Sequence, residues 1–168
     1  TIHFVAPKVY VWREHRVKKL KLFLDHILLL FPFEKKFFDK EKIKSTFVGH
    51  PFLDFPKKNN TDLSSLLNKN KKIISLFPGS RLSEVKTLMP ILIKFITLVQ
   101  KKDNNFLFIF HSTIELKTIL KKYLSNSVIK NYEIISDENI KKNILAETYF
   151  AIVKSGTISL EISHAGVP

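Results

Sequence analysis

Cysteine is absent from this 168-residue sequence, which also has only four glycines, one tryptophan and one methionine. Without cysteine the chain has no disulfide, no thiolate metal ligand and no cysteine nucleophile, as is common for proteins of a reducing compartment. So little glycine excludes a fibrous repeat, and 45% apolar residues exclude an extended disordered segment. The length suits one ordinary globular domain or two partial ones.

Long hydrophobic runs are also missing. The longest apolar stretch, Ile27–Phe33, falls well short of the roughly 18 residues of a membrane span. No basic start followed by an apolar segment precedes Ile2, so the sequence shows no signal peptide, and it begins at Thr1 rather than at an initiator methionine. We therefore expect a cytoplasmic protein, of which these residues are a part.

Arginine is scarce although the net charge is +13, because lysine provides all but three of the 28 basic residues. Arginine is the side chain that most often recognises guanine in nucleic acids, so its scarcity argues against a nucleic-acid-binding protein. The sequence also contains no helix-turn-helix, RNA-recognition or zinc-finger pattern. We therefore predict no nucleic-acid partner. The lysines are spread along the chain singly or in pairs, which a solvated surface explains. A basic face on an anionic membrane is the functional alternative.

Short apolar runs rich in isoleucine, valine and phenylalanine alternate with segments of helical spacing. Runs without polar alternation are typical of strands buried on both faces, as in parallel sheets. The alternation of strand and helix predicts a doubly wound α/β fold. The predicted strands are Ile2–Val5, Ile27–Phe31, Thr46–Val48, Ile73–Phe77, Phe106–Phe110, Tyr132–Ile135 and Tyr149–Val153.

Helix signals lie between these strands. Apolar spacing predicts a helix after Phe77 that is interrupted or kinked at Pro90. Ser112 and Glu115 form the capping-box pair of a second helix. Asp137 is placed to cap a third.

A stretch rich in proline, asparagine and paired lysines interrupts this rhythm and predicts an interdomain connection at 57–72, with a small helix capped by Thr61 or Asp62. Residues 1–56 are then the end of one parallel-sheet domain, and residues 73–168 are the first part of another.

The segment Phe77–Arg81, with the sequence FPGSR, follows a buried strand and precedes a helix. It lies at the carboxyl end of a strand, where open α/β sheets bind ligands. Gly79 allows close backbone approach, the helix start offers free N–H groups, and Arg81 adds a forked cation. These features suit a phosphate or pyrophosphate; a strand-exit turn with a surface arginine is the simpler alternative. No Walker pattern occurs.

The segment Ser155–Gly156–Thr157 repeats this geometry after the last predicted strand. Gly156 and Thr157 are predicted to open a helix, with Glu161 about one turn inside it. A carboxylate near a helix start is stabilised by the dipole, so Glu161 has a structural explanation. Its functional alternative is to accept hydrogen bonds from the vicinal diol of a ribose.

The remaining chemistry-bearing residues form no familiar site. The six histidines lack metal-ligand spacing, so no metal site is predicted. No GxSxG nucleophile turn exists. His26 and His111 lie in or beside apolar strands and are predicted to be satisfied core residues.

A basic amphipathic helix is predicted from Arg13 to Leu24, preceded by Trp12. Its apolar stripe carries Val17 and Leu20, with lysines and arginines around it. Packing against a sheet is the simpler interpretation, and contact with a membrane interface is the alternative.

Five motifs, in this order and spacing, resemble the bacterial lipid-A-disaccharide synthase family. Two of them, PGSR and SGT–LE, are shared with other nucleotide-sugar glycosyltransferases, whereas the WR, PFEK and VGH elements narrow the match. The motifs are Val11–Arg13 with Arg16–Val17, Phe31–Lys35, Val48–Pro51 with Asp54, Pro78–Arg81 with Glu84–Val85, and Ser155–Thr157 with Leu160–Glu161.

The resemblance implies a GT-B-like fold of two Rossmann-like domains, the amino domain binding the acceptor and the carboxyl domain the nucleotide sugar. The implied reaction joins UDP-2,3-diacylglucosamine to 2,3-diacylglucosamine 1-phosphate, releases UDP and inverts the anomeric centre. It implies no cofactor and no metal, and a location on the inner face of the inner membrane. Its substrates would be the UDP-sugar donor and the acylated glucosamine phosphate acceptor.

The resemblance also implies residue roles. Arg81 would stabilise the leaving diphosphate, while Glu34 and His50 would lie at the acceptor site or interdomain cleft. The family's proposed catalytic carboxylate lies before Thr1, so no general base is named in this chain. The nucleotide would be bound by Gly79, Ser80, Arg81, Ser155, Gly156, Thr157 and Glu161.

Two alternatives stay open at this point. One is another UDP-sugar enzyme of the same fold, either a peptidoglycan N-acetylglucosaminyltransferase or a UDP-GlcNAc 2-epimerase. The other is a basic membrane-binding module without catalysis, whose binding would weaken with salt more steeply than that of a nucleotide pocket.

Overall fold

The computed structural model describes residues 1–7, 15–51 and 71–168, without the side chain of Arg16. The chain divides into two compact units, Thr1–Phe55 and Pro56–Pro168. Each unit has its own parallel sheet. Residues 57–70 of the predicted connection, with Thr61 and Asp62, lie outside the described residues, as do Trp12 and Arg13.

The first unit (Thr1–Phe55) has a three-stranded sheet in the order β1-β2-β3. Its apolar core is formed mainly by side chains of β2 and of the two helices beside it, including Val17, Ile27, Leu29 and Phe38. Its elements are β1 (Ile2–Phe4), α1 (His15–Leu20), β2 (His26–Leu29), a 3-10 turn (Pro32–Glu34), α2 (Lys35–Lys40) and β3 (Lys44–Phe47).

Helix α1 is shorter than predicted. It ends at Leu20, and the next residues form turns in which the amide of Phe23 donates to the carbonyl of Leu20. The chain must turn here because β2 begins at His26. The predicted continuation to Leu24 is therefore wrong, although Leu24 still packs against the same core as Val17.

The second unit (Pro56–Pro168) has a four-stranded parallel sheet in the order β6-β5-β4-β7. Alternate residues of β4 and β5 are buried on opposite faces, Ile74 and Phe108 on one and Ile73 and Ile109 on the other. Its elements are β4 (Lys72–Phe77), α3 (Leu82–Lys102), β5 (Phe106–His111), α4 (Ile114–Ser125), β6 (Tyr132–Ile135), α5 (Glu138–Glu147), β7 (Thr148–Val153) and α6 (Thr157–His164).

All seven predicted strands are present, with differences of one or a few residues at their ends. Both sheets are parallel throughout, so the predicted α/β class of two Rossmann-like units is confirmed. Burial on both faces of β4 explains why its sequence shows no polar alternation.

Helix α3 runs unbroken from Leu82 to Lys102, so the predicted interruption at Pro90 is wrong, whereas the alternative of a kink there stays a prediction. Proline removes one backbone hydrogen bond from a helix interior. The apolar stripe continues across it, however, with Met89 and Leu92 buried on either side in one core. Packing of this face offsets the lost bond. Among the described helices, none combines the length and apolar character needed to cross a membrane.

Two other helix starts were tested by the structure. Helix α4 has Thr113 rather than Ser112 as its N-cap, and no side chain caps it there, so the predicted capping box is wrong. The hydroxyl of Ser112 donates instead to the carbonyl of Thr113. Asp137 does cap α5, because its carboxylate accepts from the amides of Asn139 and Ile140 at 2.8 and 3.1 Å.

Candidate functional site

The order of strands in the second unit creates a topological switch point between β4 and β7. From β4 the chain passes to β5 and β6 on one side, and then returns to place β7 on the other side of β4. Because all four strands are parallel, their carboxyl ends lie at one edge of the sheet. Open α/β sheets bind ligands outside this edge, at the switch point.

The two predicted ligand loops leave the sheet on either side of this switch point. The β4 loop (Pro78–Arg81) follows β4, and the β7 loop (Lys154–Gly156) follows β7. The amide of Lys154 donates to the carbonyl of Phe77 at 3.4 Å, so the two strand ends are adjacent. The structure thus brings together two segments that are about 75 residues apart in the sequence.

Gly79 is required by the geometry of the β4 loop. Its φ angle of +114° lies in a region that residues with side chains rarely adopt. A Cβ atom at this position would also lie 2.6 Å from the Cβ of Glu84, which is too close for any real contact. The missing side chain lets the first turn of α3 fold back onto the loop.

Glu84 uses that space to bind the β4 loop. Its Oε2 accepts from the amide of Ser80 at 3.0 Å. On the other side its Oε1 lies 2.7 Å from Nζ of Lys154. The hydrogen bond from Lys154, with smaller effects from the two amides, holds the pKa of Glu84 below its usual value.

These contacts change the expected role of the helix start. We expected free N–H groups in the β4 loop, but the amide of Ser80 is hydrogen-bonded to Glu84, and the amide of Arg81 interacts electrostatically with the same carboxylate. The next three amides begin α3 and have no acceptor one turn earlier in the helix. Donors for an anion therefore lie at Leu82–Glu84 rather than at Ser80.

Arg81 is exposed at the N-cap position of α3, with extended backbone angles of −120° and 146°. Its guanidinium has no acceptor among the described residues, so its five N–H donors are available. A planar cation beside a helix start is well suited to bind the oxygens of a phosphate.

The β7 loop is exposed at Ser155 and Gly156, and Thr157 begins α6 as predicted. Gly156 differs from Gly79, because its backbone is extended and a Cβ atom there would have no neighbour closer than 4.0 Å. Steric demand of the fold therefore does not explain this glycine, which is the N-cap of α6, and the open space beside it leaves room for a close approach from outside.

Glu161 lies on α6, one turn inside the helix as predicted, and is largely buried. Both of its carboxylate oxygens contact Nζ of Lys141 on α5, at 3.0 and 3.1 Å. Lys141 also forms an ion pair with Glu138. A carboxylate has about four acceptor positions, so the pair with Lys141 fixes Glu161 without exhausting its capacity.

A polar chain lies under this edge, on the face covered by α5. The hydroxyl of Thr148 donates to the carbonyl of Ile144 and lies 2.8 Å from Oγ of Ser75. Ser75 must therefore donate to Thr148, which leaves its oxygen to accept from Nε2 of His111 at 3.2 Å. The neutral His111 is protonated on Nε2.

His111 is buried and stacks on Phe77, with ring centroids 4.2 Å apart and planes within 4°. Burial, helped by the positive charge of Lys141, lowers the pKa of His111 to about 3. Its Nδ1 has no hydrogen-bond partner within the described part of the chain. The predicted satisfied core histidine is thus satisfied on one nitrogen only. His26 is half-buried and lies 2.9 Å from the hydroxyl of Thr46.

The candidate acceptor residues lie in the first unit. Glu34 is buried, and its Oε2 accepts from the amides of Leu30 and Phe31 at 3.1 and 3.0 Å. This carboxylate stabilises the turn that follows β2. His50 is half-buried and contacts the ring of Phe31, with centroids 6.0 Å apart.

Several of these functional candidates were not singled out from the sequence. Lys154 directly precedes the SGT motif, but no local pattern pairs it with Glu84, 70 residues away. Lys141 is one of two adjacent lysines on α5, and no local pattern pairs it with Glu161, 20 residues away. No group of three or more histidine, aspartate and glutamate side chains suited to a metal occurs in residues 1–7, 15–51 and 71–168.

A parallel sheet with two strand-exit loops and a free arginine at its switch point is typical of α/β proteins that bind phosphorylated ligands. The model of the lipid-A-disaccharide synthetase family matches residues 1–168. The chain belongs to this family.

Curated relatives agree with that assignment. Lipid-A-disaccharide synthases from Coxiella burnetii (strain Dugway 5J108-111) and Persephonella marina are each 33% identical to this chain, over 99% and 100% of it. The enzyme from Idiomarina loihiensis is 30% identical over 96% of it. The matches cover 44%, 47% and 44% of those proteins, so the chain spans about half the length of the curated relatives it matches.

Among solved structures, a chain from "Crystal structure of accessory secretory protein 1,2 and 3 in Streptococcus pneumoniae" matches 99% of this chain and 39% of its own length. The identity is 10% and the TM-score is 0.48, so this likeness carries no argument.

Proposed function

We propose that the protein is a lipid-A-disaccharide synthase, which transfers a glucosaminyl group from UDP-2,3-diacylglucosamine to 2,3-diacylglucosamine 1-phosphate with inversion at the anomeric carbon. The observation that carries the proposal is the pair of loops at the switch point of the second unit, within a chain of this family. Family membership favours this reaction over those of other UDP-sugar enzymes with the same fold.

Each unit receives a role in this proposal. The first unit, residues 1–56, is the end of the acceptor-binding domain, where Glu34 and His50 are the candidates. Residues 57–72 connect it to residues 73–168, the first part of the domain that binds the nucleotide sugar. Glu34 acts indirectly, because its carboxylate is buried on backbone amides and shapes the turn before Lys35.

The second unit supplies groups for the nucleotide. Gly79 and Ser80 shape the loop that presents Arg81, and Ser155, Gly156 and Thr157 form the opposite loop. The free guanidinium of Arg81 binds the diphosphate. The extended backbone of Gly156, which nothing crowds, allows the ligand to approach the start of α6.

The chemistry of an inverting transfer has two requirements. A base removes the proton of the acceptor hydroxyl as its oxygen attacks the anomeric carbon, and the departing diphosphate must be stabilised as its bond to that carbon breaks. Arg81 meets the second requirement, because its charge is placed where negative charge grows. We assign no residue of this chain as the base.

No metal or other cofactor is included in the proposal. Arg81 and the starts of α3 and α6 provide the positive potential that a diphosphate needs. The acylated substrates further suggest that the protein works in the cytoplasm at the inner face of the inner membrane, with anionic lipid and not nucleic acid as the surrounding polyanion.

The test is calorimetric titration of UDP into the protein in the presence of a chelator. We expect binding, and we expect Arg81→Ala to weaken it by about 1.5–3 kcal/mol, the range for hydrogen bonds to charged groups. The matched control is Lys86→Ala, which removes an exposed cation from the same helix. Turnover should fall more than affinity, since the diphosphate gains charge in the transition state.

Three results would contradict the proposal in separate ways. Absence of UDP binding with or without metal would remove the nucleotide role of the second unit. Binding that disappears only with the chelator would contradict metal independence. Equal effects of Arg81→Ala and Lys86→Ala would show that Arg81 contributes charge alone and no specific contact.

A further inference from the structure

Two donors from two different loops converge on the carboxylate of Glu84. The amide of Ser80 comes from the β4 loop and lies 3.0 Å from Oε2, and Nζ of Lys154 comes from the β7 loop and lies 2.7 Å from Oε1. Lys154 is 70 residues from Glu84 in the sequence. The ion pair therefore connects the two loops directly, across the switch point.

The energy of this pair argues for a local role. The Lys154 side chain is 45% exposed, and partly exposed ion pairs add little to global stability because water screens them. The backbone link beside the pair is long, at 3.4 Å from the amide of Lys154 to the carbonyl of Phe77. Fixing the distance between two loops needs only a small free energy, which such a pair provides.

The β4 loop depends on Glu84 for its shape. Gly79 has a φ angle of +114° and leaves room for the Cβ of Glu84, which closes the loop against the first turn of α3. The amide of Ser80 donates to this carboxylate, so Glu84 fixes the backbone directly before Arg81, from which the free guanidinium extends.

We propose that Glu84 and Lys154 form one positioning unit, which couples the β4 and β7 loops and sets the spacing at which they hold a nucleotide diphosphate. The coupling of the loops stands on the contacts alone, whereas its effect on the ligand rests on the proposed function. Neither residue is assigned a contact with the ligand.

The first measurement requires no ligand. Amide hydrogen exchange of Ser80 reports the closure of the β4 loop, and Lys154→Met removes the charge of the opposite loop while keeping a long apolar side chain. We expect exchange at this amide to become faster by about fivefold, the upper end for such a pair. Lys154→Arg should restore slow exchange, and Lys86→Met, an exposed lysine of α3, should leave it unchanged.

The second measurement compares UDP with uridine by calorimetry in the same variants. Lys154→Met should weaken UDP by about fivefold and leave uridine unchanged, because the coupling sets the diphosphate spacing. Glu84→Gln should act similarly. In the double variant Glu84→Gln/Lys154→Met the effects should not add, since both substitutions break one interaction.

Each other outcome has a distinct meaning. Unchanged exchange with unchanged UDP affinity in Lys154→Met contradicts the coupling. Unchanged exchange with weaker UDP, or additive effects in the double variant, shows that Lys154 contacts the diphosphate itself and is not a positioning residue. Faster exchange with unchanged UDP affinity contradicts the proposed effect of the coupling on nucleotide binding. If the wild-type protein binds no UDP while Lys154→Met speeds exchange, the coupling stands and the proposed function fails.

Discussion

At the residue scale, the buried imidazole of His111 links the fold to pH. The ring stacks on Phe77, is neutral at pH 7, and donates its Nε2–H to the hydroxyl oxygen of Ser75. In the unfolded chain the same group has an ordinary pKa of about 6.5. Acidification therefore protonates the unfolded chain first, and the free energy of unfolding falls as pH drops from 6.5 towards 3.

His111→Phe removes this titration and keeps the aromatic stack. The wild-type protein should lose about 2–3 kcal/mol more than the variant between pH 7 and pH 4.5, since each pH unit below 6.5 costs about 1.4 kcal/mol. Urea unfolding of both proteins at the two pH values measures the difference. Parallel losses in the two proteins would show that His111 does not stay neutral in the fold.

The second residue-scale prediction concerns Glu161. If this carboxylate holds a ribose diol, Glu161→Ala should weaken UDP by about 1.5–3 kcal/mol and barely affect 2′,3′-dideoxy-UDP, which has no diol to lose. Glu138→Ala is the matched control, because Glu138 pairs with the same Lys141 on the exposed side. Competition binding of the two nucleotides measures the effect. An equal loss for both would leave Glu161 as a structural partner of Lys141.

At the element scale, the strands could be predicted because their signal is local. The clearest run, Ile73–Phe77, is mostly apolar on both faces and is preceded by paired lysines, and its burial follows directly from that pattern. The short α1 was harder, since the spacing of Val17, Leu20 and Leu24 fits a longer helix. The need to turn before β2 outweighs that spacing.

The errors at Pro90 and Ser112 have the same origin. Both predictions applied a local rule to a position where packing or a neighbouring residue decides. Met89 and Leu92 keep α3 together across the proline, and Thr113 replaces Ser112 as the N-cap of α4. By contrast, the end of α6 follows the local rule for glycine: Gly166 has a φ angle of +71°, and the amides of Gly166 and Val167 donate to the carbonyls of Ser163 and Ile162.

The site was only partly predictable for a similar reason. The two loop sequences are short motifs and could be found in isolation, together with Arg81 and Glu161. Their juxtaposition depends on β7 pairing with β4, which no local pattern specifies. The pairs Glu84–Lys154 and Lys141–Glu161 depend on that topology and had no separate signal in the sequence.

At the scale of the whole molecule, the charge of +13 is carried mostly by exposed lysines. Lys121 and Lys122 are among them, and with the half-buried Lys117 they line a surface groove beside β6, an edge strand of the second sheet. Lysines beside an open edge discourage pairing with another chain. This part of the excess charge has a structural explanation that needs no partner.

The lysines of the first unit provide the test of membrane contact. Lys18, Lys19 and Lys21 are exposed, whereas Val17 and Leu20 of the same segment pack on the core. Each lysine near an anionic surface contributes on the order of 1 kcal/mol at low salt. Replacing these three by glutamine should therefore weaken co-sedimentation with anionic vesicles by about tenfold or more and leave UDP affinity unchanged.

The matched control for that experiment is the triple replacement of Lys94, Lys101 and Lys102 by glutamine, which removes the same charge from α3. A smaller effect of this second variant would assign the contact to α1. Equal effects would indicate that net charge alone governs binding, and no effect of either would leave α1 with its packing role only.

The position of β7 in the sheet also affects the order in which the sheet assembles during synthesis. β4 pairs with β5 early, but its other edge is completed only by β7, whose last residue lies 76 residues after Phe77. At a synthesis rate of about 5–20 residues per second, β4 emerges several seconds before this partner does. During that interval a largely apolar strand has an open edge, and neither loop of the switch point has its neighbour. The candidate site is thus complete only once β7 has joined the sheet, and slow translation through α5 would lengthen the period in which the nascent chain is open to aggregation.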